Sequence, residues 1–232
     1  MELIWEGTRH AIRLLLEGDP KVIGITVRSL ALSGIATLFA LLLGVPLGTA
    51  VALNRFPGRN LVVSLVNTGM GLPPVVVGLF VSIMLWRSGP LGFFELLYTP
   101  SAIVIAQFVI AFPVVMGLTL AAIQQIDPKL RLQLLGLGAS RPQLVGLLLW
   151  EARLPMLAAI IAGFGAVISE VGAVMMVGGN ILGYTRVLTT ATVLETRKGS
   201  FDVAIALSII LLGISFFITW ALTAFQQRGA VR

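Results

Sequence analysis

Residues 96–126 read LLYTPSAIVIAQFVIAFPVVMGLTLAAIQQI, a stretch without one charged side chain. About 20 apolar residues in a helix cross the roughly 30 Å hydrocarbon core of a bilayer, so this stretch is long enough to span one. Working outward, residues 29–54, 60–86 and 203–227 are equally free of charge, and 154–185 is interrupted only by Glu170. The spacing predicts helices near 29–52, 61–86, 101–123, 154–177 and 203–226. That makes an all-α, polytopic membrane protein with about five transmembrane helices. Composition agrees: 57% of the 232 residues are apolar and only 11% are charged, whereas a soluble domain carries about 25% charge. A water-soluble globule is excluded.

The residue inventory also narrows the chemistry. There is no cysteine and the only histidine is His10, so a thiolate or His-pair metal site cannot be assembled and a serine nucleophile lacks a base in the spans. None of Lys21, Lys129 and Lys198 follows a G-x-x-x-x-G pattern, so the chain has no phosphate-binding loop for ATP. The formal charge is +6, but many cations flank apolar runs, where they anchor helices at the lipid interface. Membrane lipids, not nucleic acid, are the expected surroundings.

Two polar segments frame the spans. Residues 1–28 mix Glu2, Glu6, Glu17 and Asp19 with Arg9, Arg13, Lys21 and Arg28 among apolar residues, the composition of an amphipathic interfacial segment or, on a plainer reading, of a frayed tail. Asp19-Pro20 has the pattern of an N-cap followed by the first helical residue. The connection at 124–153 repeats that pattern at Asp127-Pro128, then carries Leu130, Leu134, Leu135 and Leu137 at mostly helical spacing, with Gly136 and Gly138 breaking that helix. Ser140-Arg141-Pro142 reads as the start of a second helix reaching towards Trp150. This connection is therefore two short helices hinged at Gly138-Ala139-Ser140. Orientation is not legible from charge, because either assignment splits the sixteen Lys and Arg residues evenly.

Inside the spans, Pro46, Pro73-Pro74 and Pro113 each remove a backbone donor and clash with a preceding carbonyl. They serve either a pathway lined by broken helices or simple helix curvature. Ala158, Ala162, Gly165, Ala166, Ser169, Gly172 and Ala173 form a small-residue face fit for close helix approach. Glu170 must be paired or protonated, because a charge at this depth costs about 2.5–3.5 kcal/mol on insertion scales. Its two readings are a structural latch, held by backbone amides or a cation such as Arg186, and a gate or proton-coupling residue. A secondary transporter would want several such residues and an internal repeat, and neither is visible.

The polar connection Leu137-Gly138-Ala139-Ser140, followed by Leu154-Pro155, resembles the cytoplasmic loop of type I ABC-importer permeases. Ile168-Ser169-Glu170-Val171-Gly172-Ala173-Val174-Met175-Met176-Val177-Gly178-Gly179-Asn180-Ile181 resembles the oxyanion branch of that family, and the tungstate permeases in particular, with molybdate and sulfate permeases more distant. Leu72-Pro73-Pro74-Val75-Val76-Val77-Gly78 and Arg87-Ser88-Gly89-Pro90-Leu91-Gly92 fit the same branch, so the similarity covers roughly residues 19–226. The Glu-Ala-Ala that heads the loop in the family is Leu132-Gln133-Leu134 here.

The resemblance implies a type I permease fold in a prokaryotic inner membrane, with a permease domain over 29–227, the 124–153 coupling loop inside, and a cytoplasmic tail at 228–232. It implies a homodimer that binds an ABC ATPase subunit below and an extracytoplasmic oxyanion-binding protein above. ATP and Mg would be bound by the ATPase, with no cofactor in this chain. By the same resemblance, Gly136, Gly138, Ala139, Ser140 and Arg141 are the expected contacts with the ATPase. Pro73, Pro74, Ser169, Glu170 and Asn180 are the expected pathway residues, and the 178–202 loop with Tyr184, Arg186, Arg197 and Lys198 is either a candidate docking surface for the binding protein or, on a plainer reading, a solvated loop. Tungstate is the expected cargo, ahead of molybdate, sulfate or phosphate.

Overall fold

The computed structural model describes residues 2–230, with side chains at all of these except 2–4, 10, 11, 14–16 and 228–230. Val231 and Arg232 of the expected tail, and the side chains of His10 and Arg228, thus lie outside the described residues. Those residues form α-helices and one 3-10 turn, with no strand among them.

At the centre stands α5 (Pro100–Gln124), whose buried residues run from Ala102 to Ile123. Its neighbours are α2 (Pro20–Leu53), α3 (Arg59–Met70), α4 (Pro74–Leu85), α8 (Arg153–Ile168) and α9 (Gly172–Gly178). The α2–α5 contact is the most extensive. It is close because Gly44 and Gly48 stack one turn apart on α2: a Cβ at Gly48 would stand 2.6 Å from Met116 O, and one at Gly44 would stand 3.0 Å from Val115 Cγ1. Small residues four apart let backbones approach in this way. Close approach was expected on the fourth span, and the structure shows it here as well, around Pro46.

Helix α2 starts nine residues earlier than the charge-free run suggested. Asp19 Oδ1 accepts from the N–H groups of Lys21 at 2.8 Å and Val22 at 3.1 Å, and Pro20 needs no partner at the first helical position. Charge marks where the apolar run begins, not where the helix begins, since long Lys and Arg side chains reach outward from a continuing helix. The expected boundary at residue 28 therefore falls inside α2. At 34 residues, about 51 Å of helix at 1.5 Å per residue, α2 outreaches the hydrocarbon. Before it, α1 (Glu2–Glu17) is not a frayed tail: Gly7 lies so close to Ile205 of α11 (Phe201–Ala230) that no Cβ would fit.

Two of the expected spans are not single helices. The 61–86 stretch divides into α3 and α4, bent by 104°. Pro74 drives Pro73 to an extended ψ of 124°, and neither proline offers an N–H, so the helix cannot pass. Single prolines have no such effect: Pro46 and Pro113 both sit inside continuous helices. The 154–177 stretch ends as α8 at Ile168, leaves a non-helical turn at 169–171, and resumes as α9. Towards the N-terminus, α8 meets α7 (Arg141–Glu151) at a bend of 70°. Three helices, α2, α5 and α11, are long and apolar enough to cross a membrane alone, and the bent pairs α3–α4 and α7–α8 raise the number to five. Finally, the expected 178–202 loop contains α10 (Leu188–Lys198), with Leu188 to Ala191 buried.

Candidate functional site

The two helix breaks face each other across one cavity of about 420 Å³. Gly69 to Pro74, with Val77, form one wall; Ala166, Ser169 and Glu170 form the other; Ile110 and Val114 of α5 close the back. Tight packing sets the spacing of the walls. A Cβ at Gly78 of α4 would stand 2.6 Å from Ala173 Cα, and one at Gly172 would stand 2.8 Å from Val75 Cγ2. Glycine at these two positions is what lets α9 seat against the start of α4.

Hydrogen bonds hold part of the backbone at each break. At the first, Gly71 N–H donates to Thr68 O at 3.0 Å, and Val76 N–H donates to Pro73 O at 2.9 Å. No side chain caps the start of α4, where Pro73 and Pro74 border the cavity with no N–H to offer it. At the second, Glu170 Oε1 accepts from Ala173 N–H at 2.9 Å, which makes this side chain the cap of α9. The Glu170 carbonyl accepts from Thr189 Oγ1 at 2.9 Å. Of the two kinds of latch open to Glu170, the backbone amide is the one formed. Arg186 is engaged elsewhere, donating to Asn180 Oδ1 at 3.1 Å and Asn180 O at 3.2 Å.

Pro73, Pro74, Ser169 and Glu170 are thus brought together from positions about a hundred residues apart. Asn180 is not with them. It stands just beyond α9 with φ 53°, and its Nδ2 donates to Thr190 O at 3.4 Å. The small-residue face divides as well. Ala159, Gly163, Val167 and Ile168 are the positions of α8 buried within the chain, whereas Ala158 and Ser169 are exposed and Ala166 opens onto the cavity. Gln107, which no local pattern singles out, enters from α5 and donates to Val167 O at 3.0 Å, beside the second break.

A second constellation lies at the end of the molecule that holds α6 (Pro128–Gly136) and α7. Asp127 Oδ1 caps α6 through Lys129 N–H at 2.8 Å. Gly138 takes φ 83°, with its N–H on Leu135 O at 3.0 Å and Ala139 N–H on Leu134 O at 3.1 Å. These paired bonds are the Schellman ending, which favours glycine at Gly138. Gly136 has ordinary helical backbone and open space around it, so only one of the two glycines is required by conformation. The α7 start is fixed by Ser140 N–H donating to Gln143 Oε1 at 2.9 Å.

Leu144 and Leu148 bury α7 against Ala122 and Ile123 at the end of α5, so the pair of short helices is rigidly mounted. Arg131 Nη1 ties α6 to α2 through Leu53 O at 3.3 Å. Among exposed polar residues, the outer surface of this unit carries three large apolar side chains: Leu137, at the hinge, is 84% exposed, Leu132 68% and Trp150 67%. Sequence reasoning chose the polar and hinge residues here and passed over these three. Exposed leucines on a segment outside the spans were the available signal.

Opposite this end, the segment after α9 is built rather than merely solvated. Arg28 of α2 donates to Gly183 O at 2.7 Å and Arg186 O at 3.1 Å. Tyr184 remains 48% exposed.

Comparison with known proteins agrees with this architecture. The profile of the family described as binding-protein-dependent transport system inner membrane component matches residues 44–229. A probable anion ABC transporter permease of Haloferax volcanii is 42% identical over 198 residues, 83% of this chain and 85% of that protein. The tungstate uptake system permease TupB of Peptoclostridium acidaminophilum is 40% identical over 227 residues, 98% of this chain and 100% of that one. In structure, a bacterial ABC transporter that imports the acidic polysaccharide alginate superposes with a TM-score of 0.74 over 89% of this chain and 79% of that chain, at 19% identity. Fold, family profile and near full-length relatives converge: the chain belongs to the family of binding-protein-dependent transport system inner membrane components, as a multi-pass ABC importer permease.

Proposed function

We propose that this permease carries tungstate, as part of an oxyanion importer that two copies of the chain form with two ATPase subunits. The observation that carries the cargo assignment is the near full-length similarity to permeases named for tungstate uptake. The geometry suits such a cargo. An oxyanion passing the cavity meets the Pro73-Pro74 start of α4, on the positive side of that helix dipole, and no cation in the lining, so it is attracted without being held in a tight ion pair. The carboxylate of Glu170 would repel the anion, and its capping bond to Ala173 turns it to a structural task.

In this reading the permease domain of 29–227 supplies the pathway and holds no ATP, Mg or other cofactor of its own. Those belong to the ATPase, which seats on Leu132, Leu137 and the Gly138-Ala139-Ser140-Arg141 turn. The binding protein docks at the opposite end, near Tyr184. ATP-driven closure of the ATPase pair displaces α6 and α7. Because Leu144 and Leu148 fasten α7 to α5, the displacement is passed on as rotation of the helix bundle. Exposed apolar residues on α2 and α11, such as Leu42, Phe216 and Phe217, face lipid or the second copy.

ATPase activity of the assembled complex in nanodiscs tests the assignment. Binding protein loaded with tungstate should stimulate hydrolysis more than the same protein offered molybdate or sulfate. Equal stimulation by all three, or a preference for molybdate, would reassign the cargo within the oxyanions.

A further inference from the structure

The turn at 169–171 is held by side chains from elsewhere in the fold. Gln107 lies in the middle of α5 and is 2% exposed. Its Nε2 donates to Val167 O at 3.0 Å and to Ser33 Oγ of α2 at 3.2 Å. Val167 O is the carbonyl that an uninterrupted α8 would have given to the N–H of Val171. Here it accepts from Gln107 and, at 3.2 Å, from Glu170 N–H. On the other side of the turn, Thr189 Oγ1 holds Glu170 O. A carbonyl freed at a helix break inside a membrane has to find a partner within the protein.

The carboxamide does more than satisfy itself. Gln107 Oε1 has no hydrogen-bond partner among the described residues, whereas the NH₂ group serves acceptors on two other helices. Ser169 and Glu170 line the cavity and Gln107 does not. We infer that Gln107 is a positioning residue of the pathway. Its NH₂ group clamps α2 and the end of α8 onto α5, and so fixes where the turn stands opposite Pro73-Pro74, without touching the anion. The inference rests on the cavity being the pathway.

The absence of cysteine makes the clamp measurable, because Ser169→Cys places a single thiol on the turn. In the assembled complex in nanodiscs, Gln107→Met keeps the length of the side chain and removes the donor. It should raise the rate of labelling at position 169 by a small neutral maleimide about tenfold, the factor that ~1.4 kcal/mol makes in an equilibrium. Ser33→Ala leaves the bond to Val167 O in place and should raise it less. Without the thiol, Gln107→Met should lower the maximal ATPase rate stimulated by tungstate-loaded binding protein, while the half-saturating concentration of that protein stays unchanged. A residue that acts by bulk alone would be replaced by Met without either effect.

Unchanged labelling in Gln107→Met overturns the clamp and leaves the pathway reading standing. Raised labelling with an unchanged maximal rate overturns the pathway assignment of this cavity, and the inference with it. Should Gln107→Met not assemble, Gln107→Asn, which retracts the same amide by one methylene, is judged by the same two outcomes.

Discussion

Glu170 is the only acid between Glu151 and Glu195, and the bond from Ala173 N–H to its Oε1 makes it the cap of a seven-residue helix. Losing such a cap costs about 1 kcal/mol. Glu170→Ala should therefore lower the thermal midpoint of the purified complex, while Glu170→Gln, which keeps an acceptor oxygen, should retain most of it. Normal assembly of Glu170→Gln with transport abolished would show that the charge itself is used. The sequence made clear that this carboxylate needs a partner, because hydrocarbon allows nothing else. It did not show which partner, since no proline or glycine pair announces the break at 169–171. Gly48 illustrates the same limit: its need to be small comes from Met116 O, a neighbour that only the folded chain supplies.

Among the elements, the α6–α7 unit was the most legible. Its caps, hinge and two helices follow from Asp127-Pro128, Gly138 and Ser140, because local hydrogen bonds decide them. The face proposed to dock the ATPase was not read in full, since exposed leucines stand out only once the helices have faces. Leu137 contributes nothing to the interior at 84% exposure, and burying a leucine against a partner is worth about 1.5–3 kcal/mol. Leu137→Asp should thus leave the thermal midpoint of the permease alone unchanged and weaken its affinity for the ATPase at least about tenfold, measured by binding of the two purified subunits. Undiminished affinity would place the ATPase on a different surface. Elements inside the membrane were legible as apolar runs but not as helices with ends. Two adjacent prolines turned the chain by 104°, while single prolines left α2 and α5 intact.

For the whole molecule, membrane residence and about five crossings are written in the spacing of charges, because a bilayer admits few other solutions. The location of the pathway is not. The cavity proposed as the pathway lies where breaks at 71–73 and 169–171 face each other beside α5, and no local pattern links segments so far apart in the chain. Function at this scale is directed movement of an anion, which is measured in sealed vesicles. The complex is reconstituted in liposomes with ATP enclosed and tungstate-loaded binding protein outside, and retained tungsten is counted by elemental mass spectrometry. Accumulation that requires ATP and is lost in Gly138→Pro, where φ of 83° cannot be met by a ring fixed near −65°, is the expected result. Stimulated ATP hydrolysis without any retained oxyanion, or accumulation that proceeds without ATP, would contradict the permease described here.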